Sequence, residues 1–533
     1  MIIKALTIEN FKGIREPVRV EFKTITLLFG PNSAGKSTIV QAMHYAREIL
    51  ERHNLDADIT QQGGDYVDLG GFRNLIFDHD ETRSVKLSFE LELGTRYELP
   101  DYIEIDTILD FDSDIHDSII DFPADKIKSV AVNFDISWSS FFEKPYVSAY
   151  ETGVNGEFFA RITSNSDGKW INISKINFAH PLFITIQKEA SDDPELSLLR
   201  LYKDIVKREI APTINDVDLK LVGCQDALPP IDSPLSFFKE DFYEEKDVAA
   251  YGSLHKMFTA YMSRLLIGPA AVLRDALRTF RYLGPIRETP PRNYESPRFH
   301  EHARWSNGLA AWDVLNTADE RLISEISKWM NDRLKTGYTL TIKNTKELEV
   351  GSPLYNSLVS GTVLDDYDNI AAEIKRLPLT RHIRLIDEKR SLQVMPQDVG
   401  IGISQVLPVV VAALSGTGNI IGIEQPELHI HPALQAELAD IFIQSAVADK
   451  KNTFIIETHS EHLILRIMRR MRETASDNIP QDGFKVTSND VAVLFVEPDG
   501  ARSIVREMPL NEKGELVKAW PGGFFEEGLR EVF

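Results

Sequence analysis

The chain has 533 residues, 43% hydrophobic and 26% charged, with a formal net charge of −22 and one cysteine, Cys224. That length exceeds one ordinary core and predicts two lobes or one domain with a large insertion. The longest apolar run, Val406 to Leu414, is too short to span a membrane, and the start Met1 to Asn10, with charges where a signal peptide needs its apolar stretch, reads as a strand, so no export is expected; the lone cysteine fits a reducing, cytoplasmic setting, and the acidity opposes direct attraction to nucleic acid.

In chain order, the first forty residues read as three strands (Ile2–Ile8, Val18–Phe22, Ile25–Phe29), a glycine loop and a helix from Ser37 to Arg52. From Ser84 to Ile176 apolar and polar residues alternate, with hairpin signals at Asn155-Gly156 and Asp167-Gly168. Helical spacing then dominates from Pro194 to Arg281, including Leu196–Val206 and Ala249–Leu277, and predicts one long helix over Ala310–Leu334. The proline-rich stretch Gly284–Tyr294 reads as a fixed connection between lobes or a loop near a site. After Leu377 the α/β character returns, with strands at His382–Asp387, Leu392–Met395, Asn419–Ile423 and Thr453–Glu457 and helices from Ser404 and Pro432. The fold class expected is α/β, one P-loop domain formed from both ends of the chain with a large α+β insertion. The divisions expected are 1–83, an insertion over 84–375, a return over 376–480 and a short β-containing domain over 481–533.

The strongest motif is Gly30-Pro31-Asn32-Ser33-Ala34-Gly35-Lys36-Ser37-Thr38, which satisfies G-x-x-x-x-G-K-[ST] between a strand and a helix. Its glycines let backbone amides curl around phosphates, the helix amino end favours their charge, Lys36 reaches the terminal phosphates and the Ser37 hydroxyl can ligate Mg²⁺. ATP and Mg²⁺ are the cofactors this motif calls for. A second apolar strand ends on an acid in Ile420-Ile421-Gly422-Ile423-Glu424-Gln425-Pro426-Glu427-Leu428-His429-Ile430-His431-Pro432. A third segment, Asp398-Val399-Gly400-Ile401-Gly402-Ile403-Ser404-Gln405, delivers a serine from a glycine-rich turn to a helix, with Pro408 expected in its first turn. The fourth, Thr453–Glu457 followed by Thr458-His459-Ser460, is an apolar strand ending in a polar turn.

The pattern Glu424-Gln425-Pro426-Glu427, with His429, His431 and Pro432 behind it, resembles the RecF- and OLD-like ABC ATPases, relatives of the SMC group, over roughly residues 1–80 and 380–533. The resemblance implies that Glu424 is the Mg²⁺-linked acid and that Gly402, Ser404 and Gln405 form a signature that grips the γ-phosphate held by a second copy. It makes His459 the switch histidine and places Lys12 near the phosphates, with Gln61 or Gln62 as the Q-loop glutamine. Gln425 stands where active relatives carry a water-polarising glutamate. A glutamine holds water but takes no proton, so hydrolysis is expected to be slow unless Glu427, His459 or a partner supplies the base. His429 and His431 suit contacts between copies; the alternative is a metal pair. The basic residues Arg466, Arg469, Arg470 and Arg472 read as a solvated helix face or a phosphate contact.

In OLD nucleases a Toprim domain follows the ATPase; here the tail, through Val491–Glu497 and Trp520-Pro521-Gly522-Gly523-Phe524-Phe525, resembles the short uncharacterised C-terminal domain of some bacterial relatives. The resemblance implies an ATPase of prokaryotic anti-phage defence, PtuA-like, that dimerises or assembles further through ATP. It would control a separate effector, an HNH-type nuclease, with nucleic acid contacted only indirectly and no membrane.

Overall fold

The computed structural model describes residues 2–61, 63–64, 67–94, 97–102, 124–184, 213–238, 248–292, 294, 296–297, 302–360, 367–448, 450–481, 483–500 and 502–525. The helix expected over 196–206 and the Q-loop candidate Gln62 lie outside the described residues.

Two sheets organise the chain. The first is antiparallel, in the order β2-β1-β4-β5-β6-β7-β8-β9. Its strands are β1 (Ile3–Glu9), β2 (Val18–Glu21), β4 (Ser84–Glu92), β5 (Ser129–Ser139), β6 (Lys144–Val154), β7 (Glu157–Ser164), β8 (Ile171–Asn177) and β9 (Ile214–Lys220). Alternate residues of β5, from Val130 to Ile136, are buried, the period-2 pattern of a sheet with one covered face. Asn155 (φ 51°) and Gly156 (φ 84°) join β6 to β7, as a two-residue hairpin requires. The covering helices are α1 (Lys36–Arg52), α2 (Val248–Leu266) and α3 (Gly268–Arg278).

The second sheet runs β10-β14-β15-β3-β16-β17 and is parallel except for its last strand. Its members are β3 (Ile25–Phe29), β10 (Phe280–Leu283), β14 (Ile420–Glu424), β15 (Thr453–Glu457), β16 (Val491–Asp499) and β17 (Arg502–Glu507). Successive residues of β3 serve different cores: Leu28 faces α1, while Ile25, Leu27 and Phe29 face the opposite layer. A strand buried on both sides must be apolar throughout, which explains the unbroken Ile-Thr-Leu-Leu-Phe run. The opposite layer holds α4 (Leu309–Thr317), α5 (Glu320–Lys328), α8 (Ile401–Leu414), α9 (Pro432–Val447) and α10 (Glu461–Ala475). Between them in the chain come α6 (Pro353–Ser360) and α7 (Tyr367–Arg376), and a third sheet pairs β11 (Tyr338–Lys346), β12 (Leu379–Asp387) and β13 (Leu392–Val394).

The α/β architecture built from both chain ends is as expected, but the expected divisions cut through sheets. β1 pairs with β4 from Ala5–Glu90 to Glu9–Lys86, so the sheet crosses residue 84. β10, inside the stretch assigned to the insertion, is the edge strand of the central sheet, paired with β14. β16 lies parallel to β3, so residues after 481 supply a core strand rather than a detached domain. Each exchange buries apolar strand faces that a free-standing piece would expose, at about 2 kcal/mol per side chain.

Two helix expectations also change. The helix expected over Ala310–Leu334 breaks at Ala318, which is extended, and Asp319 caps α5 by accepting from the Leu322 amide. α8 begins at Ile401, not Ser404, so Pro408 sits in the helix interior and leaves the Ser404 carbonyl without its intrahelical donor.

Candidate nucleotide-binding site

The site forms where β3, β14 and β15 end side by side, the edge at which open α/β sheets bind ligands. The loop after β3 must turn at once, and Gly30 does so at φ 144°. A Cβ there would lie 2.0 Å from the Val496 carbonyl oxygen of β16, so only glycine fits. Gly35 caps α1 in the left-handed region, and a Cβ on it would meet the Ser503 hydroxyl at 2.7 Å. Asn32, Ser33 (φ 62°), Ala34 and Thr38 complete the loop and first turn, with the Thr38 amide donating to the Gly35 carbonyl.

The Lys36 ammonium is buried and donates to the carbonyls of Gly30 (3.1 Å) and Pro31 (3.0 Å). It also lies 3.6 Å from Glu457, the last residue of β15. The Ser37 hydroxyl donates to the other Glu457 oxygen at 2.8 Å. Glu424 and Glu457 are register partners on neighbouring parallel strands. Glu424 accepts from the Tyr282 hydroxyl of β10 at 2.9 Å. Burial and then the Glu457 carboxylate push the Glu424 carboxyl up to about 7.

The buried Glu457, the half-buried Glu424 and the Ser37 hydroxyl form an oxygen donor set with more negative charge than the fold alone neutralises, which suits a hard divalent cation. Among the described residues no group of three or more His, Cys, Asp or Glu side chains forms a metal cluster. The set therefore fits Mg²⁺ shared with phosphates rather than an all-protein cage, and the Mg²⁺ ligands would be Ser37, Glu424 and Glu457. Of the two histidines behind the strand, His431 caps α9 by accepting from the Ala433 amide, and His429 is exposed.

Past β14 the chain turns sharply, with Gln425 at φ 44° and its amide bonded to the Glu457 carbonyl. Both oxygens of Glu427 are engaged, one by the Thr458 hydroxyl (2.8 Å) and one by the His459 amide (2.7 Å). Burial first raises the Glu427 pKa, but its bonds make it the holder of the Thr458–His459 turn rather than a proton acceptor. The His459 Nε2 is buried with no hydrogen-bond partner among the described residues. Burial, then the Lys36 charge, lowers the pKa of this imidazole, which keeps it neutral.

Lys12 (φ 49°) turns beside the phosphate loop: Gly13 and Gly35 share the Ser503 hydroxyl as a neighbour. The Lys12 ammonium donates to the Asp68 carbonyl, and burial lowers its pKa. Gln61 touches α1 through its main chain, donating to Glu48. The signature residues divide. Ser404 is buried and donates to the Ile401 carbonyl of its own helix, while the buried Gln405 side chain both accepts from the Arg287 amide (3.0 Å) and donates to the Arg287 carbonyl (2.6 Å). Ser404 therefore offers no hydroxyl at the helix end; Ile401, 59% exposed, and Gly402, packed under the His429 carbonyl, stand there instead.

Sequence reasoning missed several residues. Glu457 ends an apolar strand just as Glu424 does, a signal that was legible. Arg287, in the proline-rich stretch, is only 2% exposed. Its Nη2 donates to the Glu424 carbonyl at 2.7 Å, while Nε and Nη1 have no hydrogen-bond partner among the described residues. Burial pulls its pKa down to about 10 against the pull of Glu427 and Glu424. The stretch is a loop near the site, linking the start of α8 to the end of β14; Arg304 and Tyr294 secure it to Asp313 of α4. The basic cluster on α10 is largely paired: Arg466 with Glu437 and Asp440, Arg470 with Asp440 and Glu473, and Arg469 with Glu473. These bonds tie α10 to α9 and itself, so Arg466, Arg469 and Arg470 are not a free phosphate-binding patch.

A phosphate loop on an inner strand of a mostly parallel sheet, facing two strand-end carboxylates, is the site of a P-loop ATPase. Residues 1–210 and 311–464 match the family described as AAA ATPase domain, and the protein belongs to that family. Residues 486–533 match a second family, described as a protein of unknown function, DUF3696. The DNA replication and repair protein RecF of Desulforamulus reducens is 26% identical over 97 residues, 18% of this chain and 25% of that relative. The chain thus spans about a quarter of the length of the curated relative it matches. The solved SMC head domain from Thermotoga maritima aligns over 96% of this chain and 100% of its own, at 9% identity and a TM-score of 0.34. A Smc head domain bound to the C-terminal domain of ScpA, derived from Pyrococcus furiosus, aligns over 100% and 98%, at 9% identity and a TM-score of 0.36. Among the described residues no helix is long and apolar enough to cross a membrane.

Proposed function

We propose that this ATPase is a nucleotide-gated regulator in which two copies close head to tail around ATP and, by closing, control a separate effector, a nuclease, in anti-phage defence or DNA metabolism. The observation that carries the reading is the gathering of Lys36, Ser37, Glu424 and Glu457 at one sheet edge while the amino end of α8 stays exposed at Ile401. That helix end suits the phosphate held by another copy. On binding, the Lys36 ammonium exchanges the Gly30 and Pro31 carbonyls for the terminal phosphates. Mg²⁺, when bound, supplies charge neutralisation of those phosphates. Gln425 orients the attacking water without taking its proton, and His459 presents a neutral nitrogen to the phosphate. Glu427 is engaged by the Thr458–His459 turn and Gln425 takes no proton, so turnover is slow.

The test is sizing of the purified protein with and without Mg-ATP while phosphate release is followed. ATP-dependent assembly that Lys36→Ala abolishes is the expected result. An assembly indifferent to ATP would remove the closure mechanism. Gln425 also favours a second reading, a scaffold that binds ATP tightly and scarcely hydrolyses it; prompt phosphate release in a single turnover would reject that one. A RecF-like direct contact with duplex DNA predicts steeply salt-dependent binding, against which the net charge of −22 stands.

A further inference from the structure

The C-terminal segment matches a family whose description assigns no function, yet it meets the phosphate loop at several points. β16 runs beside β3 from Val491–Ile25 to Phe495–Phe29, and its Val496 carbonyl closes over Gly30. Ser503 of β17 fills the space between Gly13 and Gly35. Further on, the turn at Pro521–Gly523, with Gly522 and Gly523 at φ 63° and 70°, folds Phe524 and Phe525 back on Trp520. Trp520 and Phe525 then stand edge-on to Phe29, at centroid distances of 5.2 and 5.6 Å. Phe524 packs on Phe495 at 5.2 Å and lies 6.4 Å from the His459 ring.

We propose that Trp520–Phe525 is a positioning element of the nucleotide site, an aromatic wall that holds the His459 ring and Phe29, the residue before the first phosphate-loop glycine, and that responds when nucleotide enters. The inference rests on the reading of that site as an ATP site. No hydrogen bond orients the far nitrogen of His459 among the described residues, so packing must set the ring. The main chain of His459 is held on one side by Glu427, and Phe524 stands on another. Without that wall the ring samples other rotamers, and its nitrogen meets the phosphate less often. Binding, which depends on Lys36 and the loop amides, is left largely intact. A loss confined to turnover separates positioning from general structural damage.

The experiment measures ATP affinity and single-turnover phosphate release for wild type, Phe524→Ala, Phe524→Leu and Trp520→Phe. Trp520 emission is isolated as the difference between wild type and Trp520→Phe during a Mg-ATP titration. Phe524→Ala is expected to slow phosphate release about tenfold while ATP affinity changes less than about twofold, with Phe524→Leu recovering most of the rate. Trp520 emission should change with the same midpoint as ATP binding. Wild-type-like release in Phe524→Ala, parallel losses of affinity and rate, or a Trp520 signal blind to bound ATP would overturn the proposal. If Phe524→Ala fails to fold, the wild-type emission titration and Phe524→Leu still decide. A wild type that binds no ATP would instead overturn the reading of the site on which the proposal rests.

Discussion

The phosphate-loop end and the amino end of α8 are built on opposite plans. Around Lys36, the charged groups of the loop and strand ends pair within the same chain: the ammonium on Gly30, Pro31 and Glu457, the Ser37 hydroxyl on Glu457, Glu427 on the Thr458–His459 turn. At the start of α8, Ser404 turns inward to Ile401, Gln405 is bonded to Arg287, and the outward face carries Ile401. Internal pairing lets a buried charged site exist in a single chain, because unpaired buried charge is costly. An exposed apolar residue at a helix end gains nothing until another surface covers it. The difference teaches that one end pairs its charges internally while the other leaves an apolar residue uncovered in the single chain.

The sharpest way to break the comparison is at the cradle. Lys36→Ala should lower ATP affinity at least about a hundredfold, measured by titration calorimetry, because it removes a charge from phosphates in a partly dry site. Gln425→Glu should raise phosphate release by about a hundredfold at saturating ATP, the scale of a positioned general base. An unchanged rate would mean that this position does not face the attacking water.

Arg287→Met tests the link between the two ends. It removes the bond to the Glu424 carbonyl and leaves two carboxylates with less compensation. Thermal or chemical denaturation should show a loss of about 2 kcal/mol. Ile401→Glu should do the reverse, abolishing ATP-dependent assembly while changing stability by less than about 0.5 kcal/mol, as expected of an exposed position. A loss of stability without a loss of assembly would place the contact surface elsewhere.

The smallest effects concern pH. The Glu424 carboxyl is raised in the fold, so folding takes up a proton between about 4.5 and about 7. Its contribution is therefore present at low pH and lost as pH rises through about 7. Glu424→Gln should flatten that slope in denaturation curves taken without Mg²⁺, and should also abolish any Mg²⁺-dependent rise in Tm. At the far end of α1, His53 bonds to the buried Asp226 at 2.9 Å, and that bond raises its pKa above the ordinary 6.5. The pair stabilises the fold fully below 6.5 and loses that effect as pH rises through the higher folded value. His53→Gln should remove this step, leaving the cradle's own pH response intact.

The sequence by itself determined the cradle and the class of fold. Gly30–Thr38 is legible because its chemistry is local: a turn, a helix start and a lysine close together in the chain. The apolar strands ending at Glu424 and Glu457 are legible because a doubly buried strand must be apolar for its whole length. Tertiary structure alone decided that Glu457 faces Lys36, that Arg287 reaches β14 from a proline-rich loop, and that α8 begins at Ile401 and so turns Ser404 inward. It also decided that β10 and β16 join the central sheet and that Trp520–Phe525 returns to Phe29. These contacts join residues up to several hundred positions apart. Strand alternation and helix period report which face of an element is buried, but not which distant element covers it.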